Sequence, residues 1–401
     1  MKKIALAILS LGLLVSGCSS AGIKKDEKVV EKSGSKSKEQ AIVPKYSISD
    51  DYYKTTVPFK KGNARGLVVQ GLNSRLDIDE FETGLMRIAK ESFSTKDYLF
   101  SGGKILDAQT VQMLVKRKRT DAEQKELEEK LGKKEADKLP NIGLNPELDA
   151  GPESLEVRNK KKPIYLSNIL EHDYYVPKGK GNKEVELSGI VIGLAMNSVH
   201  YYNQENGYPR ETEISEEETL KQAKPMAQEI LKVLQKNPEA KNVPITFAIY
   251  RQGPKSSLVP GHFVSYAKAD KGSDTIDSWK PINEKYYLFP SADAKTDKRE
   301  DSAMIDNFKT NLAEYFEGDY TAVVGTGFYK DDELKEMKLE IPVQFNGKAE
   351  IIGFTQYVAG QVMAYFPNYM KVQVTIKSIE RPEAIIVREA KQDEPFVKIL
   401  D

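Results

Sequence analysis

Apolar residues fall in three regimes along this chain. From Ile4 to Val15 they are nearly continuous, broken only by Ser10 and Gly12 and headed by Lys2 and Lys3. Between residues 19 and 40 bulky apolar side chains are few among Lys, Glu and Ser. Farther on, stretches of period two alternate with stretches of helical period, the mark of a mixed fold.

In the first half the extended stretches predict strands over 66–71, 96–100, 163–175, 184–197, 244–251 and 259–267. In the second they predict strands over 285–289, 320–328, 339–345, 350–354, 372–379 and 384–388. Helical spacing predicts a helix over 77–92, with Ile78, Phe81, Leu85 and Ile88 on one face. Further helices are expected over 107–139, 215–236, 302–315 and 355–365. Thr120 with Glu123, and Ser215 with Glu218, have the spacing of a capping box. Pro225 is expected to kink or break its helix. Residues 140–158 and 203–213 read as loops, and 270–284, rich in Lys, Gly, Ser, Asp and Pro, as a linker.

The two halves look related. Asp79-Glu80-Phe81-Glu82-Thr83-Gly84-Leu85 and Asp306-Asn307-Phe308-Lys309-Thr310-Asn311-Leu312 share a D-x-F-x-T-x-L pattern. Ile190-Val191-Ile192-Gly193-Leu194 resembles Glu350-Ile351-Ile352-Gly353-Phe354, and a helix and two strands follow each. The expected fold is therefore α+β, with two duplicated units over 49–275 and 281–401 and mostly antiparallel sheets. The first copy carries insertions, chiefly the charged helix and the 140–160 loop.

The leading apolar run would rise only about 18 Å as a helix, against a hydrocarbon core of ~30 Å. Residues 1–17 thus read as a removable signal peptide rather than a transmembrane anchor. The run ends in Val15-Ser16-Gly17-Cys18, and Cys18 is the only cysteine. Small residues before a cysteine suit a peptidase that cuts between Gly17 and Cys18, leaving an S-diacylglyceryl cysteine. One acyl chain gives only marginal attachment, and two or three hold firmly. Residues 18–48 then serve as a lipidated, disordered tether, because their composition buries too little to offset ordering entropy. The partners implied are the lipid bilayer and the lipoprotein-processing enzymes, and the location is the outer face of a Gram-positive cell membrane.

The 401 residues are 30% charged, with 60 Lys+Arg against 60 Asp+Glu. Such balance leaves no electrostatic footprint for nucleic acid. Lys116-Arg117-Lys118-Arg119 is followed at once by Glu123, Glu126, Glu128 and Glu129, which reads as a solvated, ion-paired face. With its lone cysteine given to lipid, the exported body has no disulfide to rely on.

No catalytic or metal constellation stands out, and no cofactor is expected. His172, His200 and His262 lack the spacing of a zinc site. Ser256, Ser257 and Ser265 flank His262 without a G-x-S-x-G elbow. Gly325-Thr326-Gly327 is half of a dinucleotide fingerprint, and Ser101-Gly102-Gly103-Lys104 lacks the first glycine of a P-loop.

The lipobox at Cys18, the Lys/Ser/Glu tether and two body stretches carry a family resemblance. The stretches are Gly66-Leu67-Val68-Val69-Gln70-Gly71-Leu72-Asn73-Ser74-Arg75 and Pro260-Gly261-His262-Phe263-Val264-Ser265. The layout resembles the CamS family of lipoproteins, described as sex pheromone precursors. That resemblance implies that the clipped leader is trimmed to a short apolar peptide, here Leu11-Gly12-Leu13-Leu14-Val15-Ser16-Gly17, which acts on conjugating enterococcal recipients. This stretch has neither the aromatic residue nor the alanines of the family's Ala-Ile-Phe-Ile-Leu-Ala core. The resemblance implies a non-catalytic body. Two other readings stand beside it: a binding module for a wall polymer, peptide or host ligand, with a Tyr-lined groove between the units, and an enzyme gathering His262 or His200 with carboxylates.

Overall fold

The computed structural model describes residues 27–32, 39–44, 48–49, 51–59, 61–178, 184–315, 322–344 and 347–401. A first unit opens with strands β1 (Glu27–Lys32), β2 (Glu39–Val43) and β3 (Lys54–Thr55), then helices α1 (Arg65–Gly71) and α2 (Arg75–Ala89). Strand β4 (Leu99–Gly102) leads into helices α3 (Ala108–Leu114), α4 (Asp121–Leu131), α5 (Lys133–Ala136) and α6 (Leu155–Lys161). Long strands β5 (Leu166–Lys178) and β6 (Glu184–Asn197) precede a small hairpin of β7 (Val199–Asn203) and β8 (Pro209–Glu213). Helices α7 (Glu216–Leu234) and α8 (Pro238–Lys241) then lead to β9 (Ile245–Gln252), β10 (His262–Ala269) and β11 (Lys280–Pro281).

A second unit follows at once. It holds β12 (Glu284–Phe289), α9 (Ala292–Asp297), α10 (Arg299–Glu314), β13 (Val324–Lys330), β14 (Glu333–Pro342), α11 (Lys348–Tyr365), β15 (Lys371–Lys377), β16 (Pro382–Arg388) and β17 (Phe396–Ile399). The sheets run β11-β10-β9-β6-β5-β4-β3 and β12-β13-β14-β15-β16-β17. At the centre of each is a parallel pair, β6 with β9 and β14 with β15, where a helix makes the crossover; the first sheet also pairs β3 with β4 and β1 with β6 in parallel.

The units match element for element as β4-α3-β5-β6-α7-β9-β10-β11 and β12-α10-β13-β14-α11-β15-β16-β17. This order supports the duplication, but neither short sequence similarity marks equivalent positions. Glu350–Phe354 opens α11, whereas Ile190–Leu194 is strand β6. The D-x-F-x-T-x-L segments both lie in helices with buried Phe and Leu and a Thr hydroxyl bonded four residues back. Yet α2 packs on the face of its sheet opposite α7, while α10 and α11 share one face. The true counterpart of α10 is α3, and α1 with α2 form an extra layer.

Central burial explains β6. Ile190, Ile192, Leu194 and Met196 face α3 and α7, and Val191 and Ala195 face α2, so every position from 190 to 196 is buried. A near-continuous apolar run is what two covered faces require. Gly193 is the necessary gap, because a Cβ there would lie 2.7 Å from the Phe81 ring. In β15 only Val372, Val374 and Ile376 are buried, alternating with half-exposed Lys371, Gln373 and Thr375, as expected of a sheet with one helical face.

Several expectations change. Residues 66–71 are helix, not strand; a short apolar run carries no periodicity to decide, and α1 buries only Val68 while exposing Val69. Residues 350–354 are helical because Ile351, Phe354, Val358 and Val362 share one buried face. The 107–139 stretch is interrupted: residues 115–120 leave the helix, with Arg117 bridging Asn145. Parts of the 140–158 and 203–213 loops are ordered as the start of α6 and as β8. Parts of the expected tether also pair: β1 and β2 run antiparallel, with Glu27 opposite Val43 and Glu31 opposite Glu39, and β1 runs parallel to the start of β6. The 270–284 linker ends in β11, hydrogen-bonded to β10. Pro225 leaves α7 continuous, because the proline lies on the exposed side.

Candidate functional site

The candidate peptide 11–17 and the Gly17–Cys18 bond lie outside the described residues. Among the described residues no helix is long and apolar enough to cross a membrane, and no group of three or more His, Cys, Asp or Glu is arranged to hold a metal ion.

The histidines are not gathered. His172 is buried in β5 against the Phe100 ring at 4.9 Å, with Nδ1 unpartnered, and burial lowers its pKa to about 3. His200, in β7, meets Asn159 Oδ1 through Nε2 at 2.9 Å, and burial, helped by Arg117, lowers it to about 4. His262 opens β10 with Nε2 3.8 Å from Glu216 Oε2, and that contact holds Glu216 below the usual carboxylate range. Each histidine belongs to a different neighbourhood.

The structure does bring together the two stretches 66–75 and 260–265. Ser74 caps α2, and its Oγ donates to Asp77 Oδ2 at 2.7 Å. Asp77 Oδ1 accepts from Tyr250 Oη at 2.8 Å, Gly253 N at 3.0 Å and Gly261 N at 2.9 Å. Asn73 N donates to Gln252 Oε1 and Asn73 Nδ2 to Gly253 O, both at 2.9 Å. A Cβ at Gly261 would lie 2.1 Å from Arg251 O, which only glycine avoids. The β9–β10 loop is thus clamped to the start of α2 by one buried carboxylate. Both of its oxygens accept hydrogen bonds from the protein, so Asp77 acts as a structural acceptor.

A buried carboxylate pair, Glu171 and Asp173, lies in β5. Glu171 accepts from the backbone N–H groups of Lys104 at 3.1 Å, Ile105 at 2.8 Å and Leu106 at 2.6 Å, and Asp173 accepts from Lys104 N at 3.0 Å. Burial, with Glu171 close by, drives Asp173 well above the ordinary value. The Gly102-Gly103 turn approaches Glu171 closely, so Ser101–Lys104 serves this pair rather than a phosphate. Two acids two apart in an apolar strand were the legible signal for it.

The units are joined through α2. Arg87 Nη2 donates to Glu80 Oε1 at 2.6 Å and to Glu284 Oε2 at 2.8 Å, and its Nε reaches Glu284 Oε1 at 3.1 Å. Its guanidinium lies 4.6 Å from the Phe328 ring centre, and Tyr286 Oη donates to Glu80 Oε2 at 2.6 Å. Burial opposes the Arg87 charge, but the carboxylates outweigh it and its pKa lies above the ordinary value. Beside this latch is a cleft of about 190 Å³ lined by Glu91, Asn283, Lys330 and Asp331, with Tyr266 its one tyrosine.

A larger groove, about 570 Å³, lies on the other side of the first unit, between α7 and the segments around Leu114 and Leu144. Ligand pockets commonly fall between about 300 and 1,000 Å³. A third cavity, beside His172 and Phe100, has about 40 Å³, room for a few waters. The Lys116–Arg119 run explains one wall of the large groove. Arg117 donates to Pro146 O and Lys162 O, and Arg119 to Leu139 O, so both arginines anchor the chain while Lys118 is exposed.

Comparison with curated proteins gave no match. Residues 59–394 match the family described as CamS sex pheromone cAM373 precursor. The solved C-terminal domain of the sex pheromone staph-cAM373 precursor from Staphylococcus aureus is 35% identical, with a TM-score of 0.71 over 82% of this chain and 99% of that one. The sex pheromone precursor from Lactobacillus salivarius is 29% identical, with a TM-score of 0.76 over 89% of this chain and 98% of that one. Sequence match and shared architecture agree, and the chain belongs to the CamS sex pheromone cAM373 precursor family.

Proposed function

We propose that this protein is an extracytoplasmic lipoprotein, held on the outer face of a Gram-positive cell membrane by acylated Cys18, with a non-catalytic folded body. Its signal peptide is further trimmed to Leu11-Gly12-Leu13-Leu14-Val15-Ser16-Gly17 and released as a short apolar signal. The observation that carries this reading is the placement of the only cysteine directly after Val15-Ser16-Gly17, at the end of an apolar run too short to span a bilayer. Family membership supports the precursor role. The missing aromatic residue points to a receptor different from one shaped for phenylalanine, since one altered apolar contact shifts discrimination by about 1–3 kcal/mol.

Labelling cells with radioactive palmitate tests the anchor: wild type takes up label and Cys18→Ser does not, whereas equal labelling of both rejects it. Mass spectrometry of culture supernatant tests the release. A fragment ending at Gly17 is expected, and its absence beside fully processed protein removes the signalling half. The groove beside α7 favours a second role for the folded body, binding a ligand.

A further inference from the structure

We infer that the groove beside α7 binds a short apolar peptide through its side chains and its free C-terminal carboxylate. Its floor is apolar, formed by Leu114, Ile142, Leu144, Met226 and Val233. Its rim is cationic, with Lys118, Lys232 and Lys236 against the single carboxylate of Glu229. Glu229 is taken by Lys232 at 2.7 Å, while Lys118 and Lys236 have no carboxylate partner among the described residues. The groove therefore offers two uncompensated positive charges beside a surface that gains from being dried. An apolar ligand with one carboxylate satisfies both demands.

Pro225 also lines the groove, and its ring adds apolar surface to that wall. A glycerol-phosphate wall polymer would meet the lysines but leave the apolar floor uncovered. Leu11-Gly12-Leu13-Leu14-Val15-Ser16-Gly17, freed after Gly17, has the required composition: apolar side chains and one terminal carboxylate. In this respect the inference rests on the release proposed above, and a body that captures this product would hold it near the cell that made it.

The test uses the mature chain, residues 18–401 with Cys18→Ser to avoid detergent, and synthetic Leu-Gly-Leu-Leu-Val-Ser-Gly, followed by calorimetry. Saturable one-to-one binding is expected. The C-terminal amide should bind about fivefold more weakly, the size of one exposed ion pair. Lys118→Ala with Lys236→Ala should weaken the acid peptide by the same factor and leave the amide unchanged. Val233→Glu, which places a carboxylate in the groove, should abolish binding, while unchanged thermal unfolding confirms that each variant is folded. Equal affinity for acid and amide, indifference to both lysines, or binding of polyglycerol phosphate in place of the peptide would each overturn the inference. A synthetic peptide makes the outcome independent of release: binding without a Gly17 fragment in the medium leaves the groove assigned and the signalling role rejected.

Discussion

The two units share one order of strands and helices but differ in how their sheets are covered. The first sheet is buried on both faces, by α1 and α2 on one side and α3 and α7 on the other; in the second, α10 and α11 share one side. The first unit also holds most of the awkward chemistry. Seven of its residues, among them His172, Asp173, Tyr174 and Arg251, have a buried polar side-chain atom without a protein partner, against Ser302 and Arg388 in the second unit, among the described residues. A fold buried from both sides traps polar groups that a one-sided sheet leaves near water. The shared order of elements forms the scaffold, and the extra layer and long connections of the first unit line its grooves and bury its charges.

Several changes break or sharpen this contrast. The largest effect is expected from Phe81→Ala and Phe308→Ala, which open a cavity in one core each. Either should cost about 3–5 kcal/mol, and calorimetry should show each lowering the transition of its own unit. Equal displacement of both transitions would mean that the units unfold as one. Arg87→Ala comes next. It strands the buried carboxylates of Glu80 and Glu284, and at roughly 3 kcal/mol it should lower the transitions of both units. A shift confined to one transition would count against the latch.

Acid should distinguish the units further. His172 is held neutral when folded, with a pKa of about 3, but protonates near its ordinary 6.5 when unfolded. The stability it contributes is therefore complete above pH 6.5 and is lost as pH falls toward 3. His172→Phe should flatten this acid limb for the first unit alone, and a profile identical to wild type would reject the assignment. The Glu171–Asp173 pair has the opposite sign: pKa values raised by burial give stability at low pH that fades as pH rises through the folded values. Asp173→Asn should remove that upper-limb loss. Smallest of all is Thr120→Ala. It removes a capping box worth about 1 kcal/mol from α4, a helix with no buried residue. Hydrogen exchange should rise within α4 while the global transition stays put, and a global shift would show that this insertion supports the core.

Much of this architecture was legible because pattern and physics agreed. The continuous apolar run of β6, the buried stripe of α2 and the caps at Thr120 and Ser215 appeared where spacing placed them. Short segments failed where period cannot discriminate: α1 buries one residue, and the β-branched opening of α11 resembles a strand until Phe354, Val358 and Val362 extend its face. The clamp at Asp77 and the latch at Arg87 were illegible because their partners lie far away in sequence, although acids at 77 and 80 on a face with Phe81 and Ile88 were a signal. The groove was hidden by its own basic run, in which arginines turn inward and Lys118 outward.

The Arg87–Glu284 contact joins positions 197 residues apart. A polypeptide secreted N-terminus first delivers α2 to the exterior well before β12 emerges, and domains tend to fold as they appear. Glu80 and Arg87 can meet at once, but Glu284 and Phe328 arrive only near the end of translocation. Joining of the two lobes is thereby postponed to the last stage of maturation, and a truncated product lacking its C-terminal third would display an open ionic socket to the quality-control proteases outside the cell.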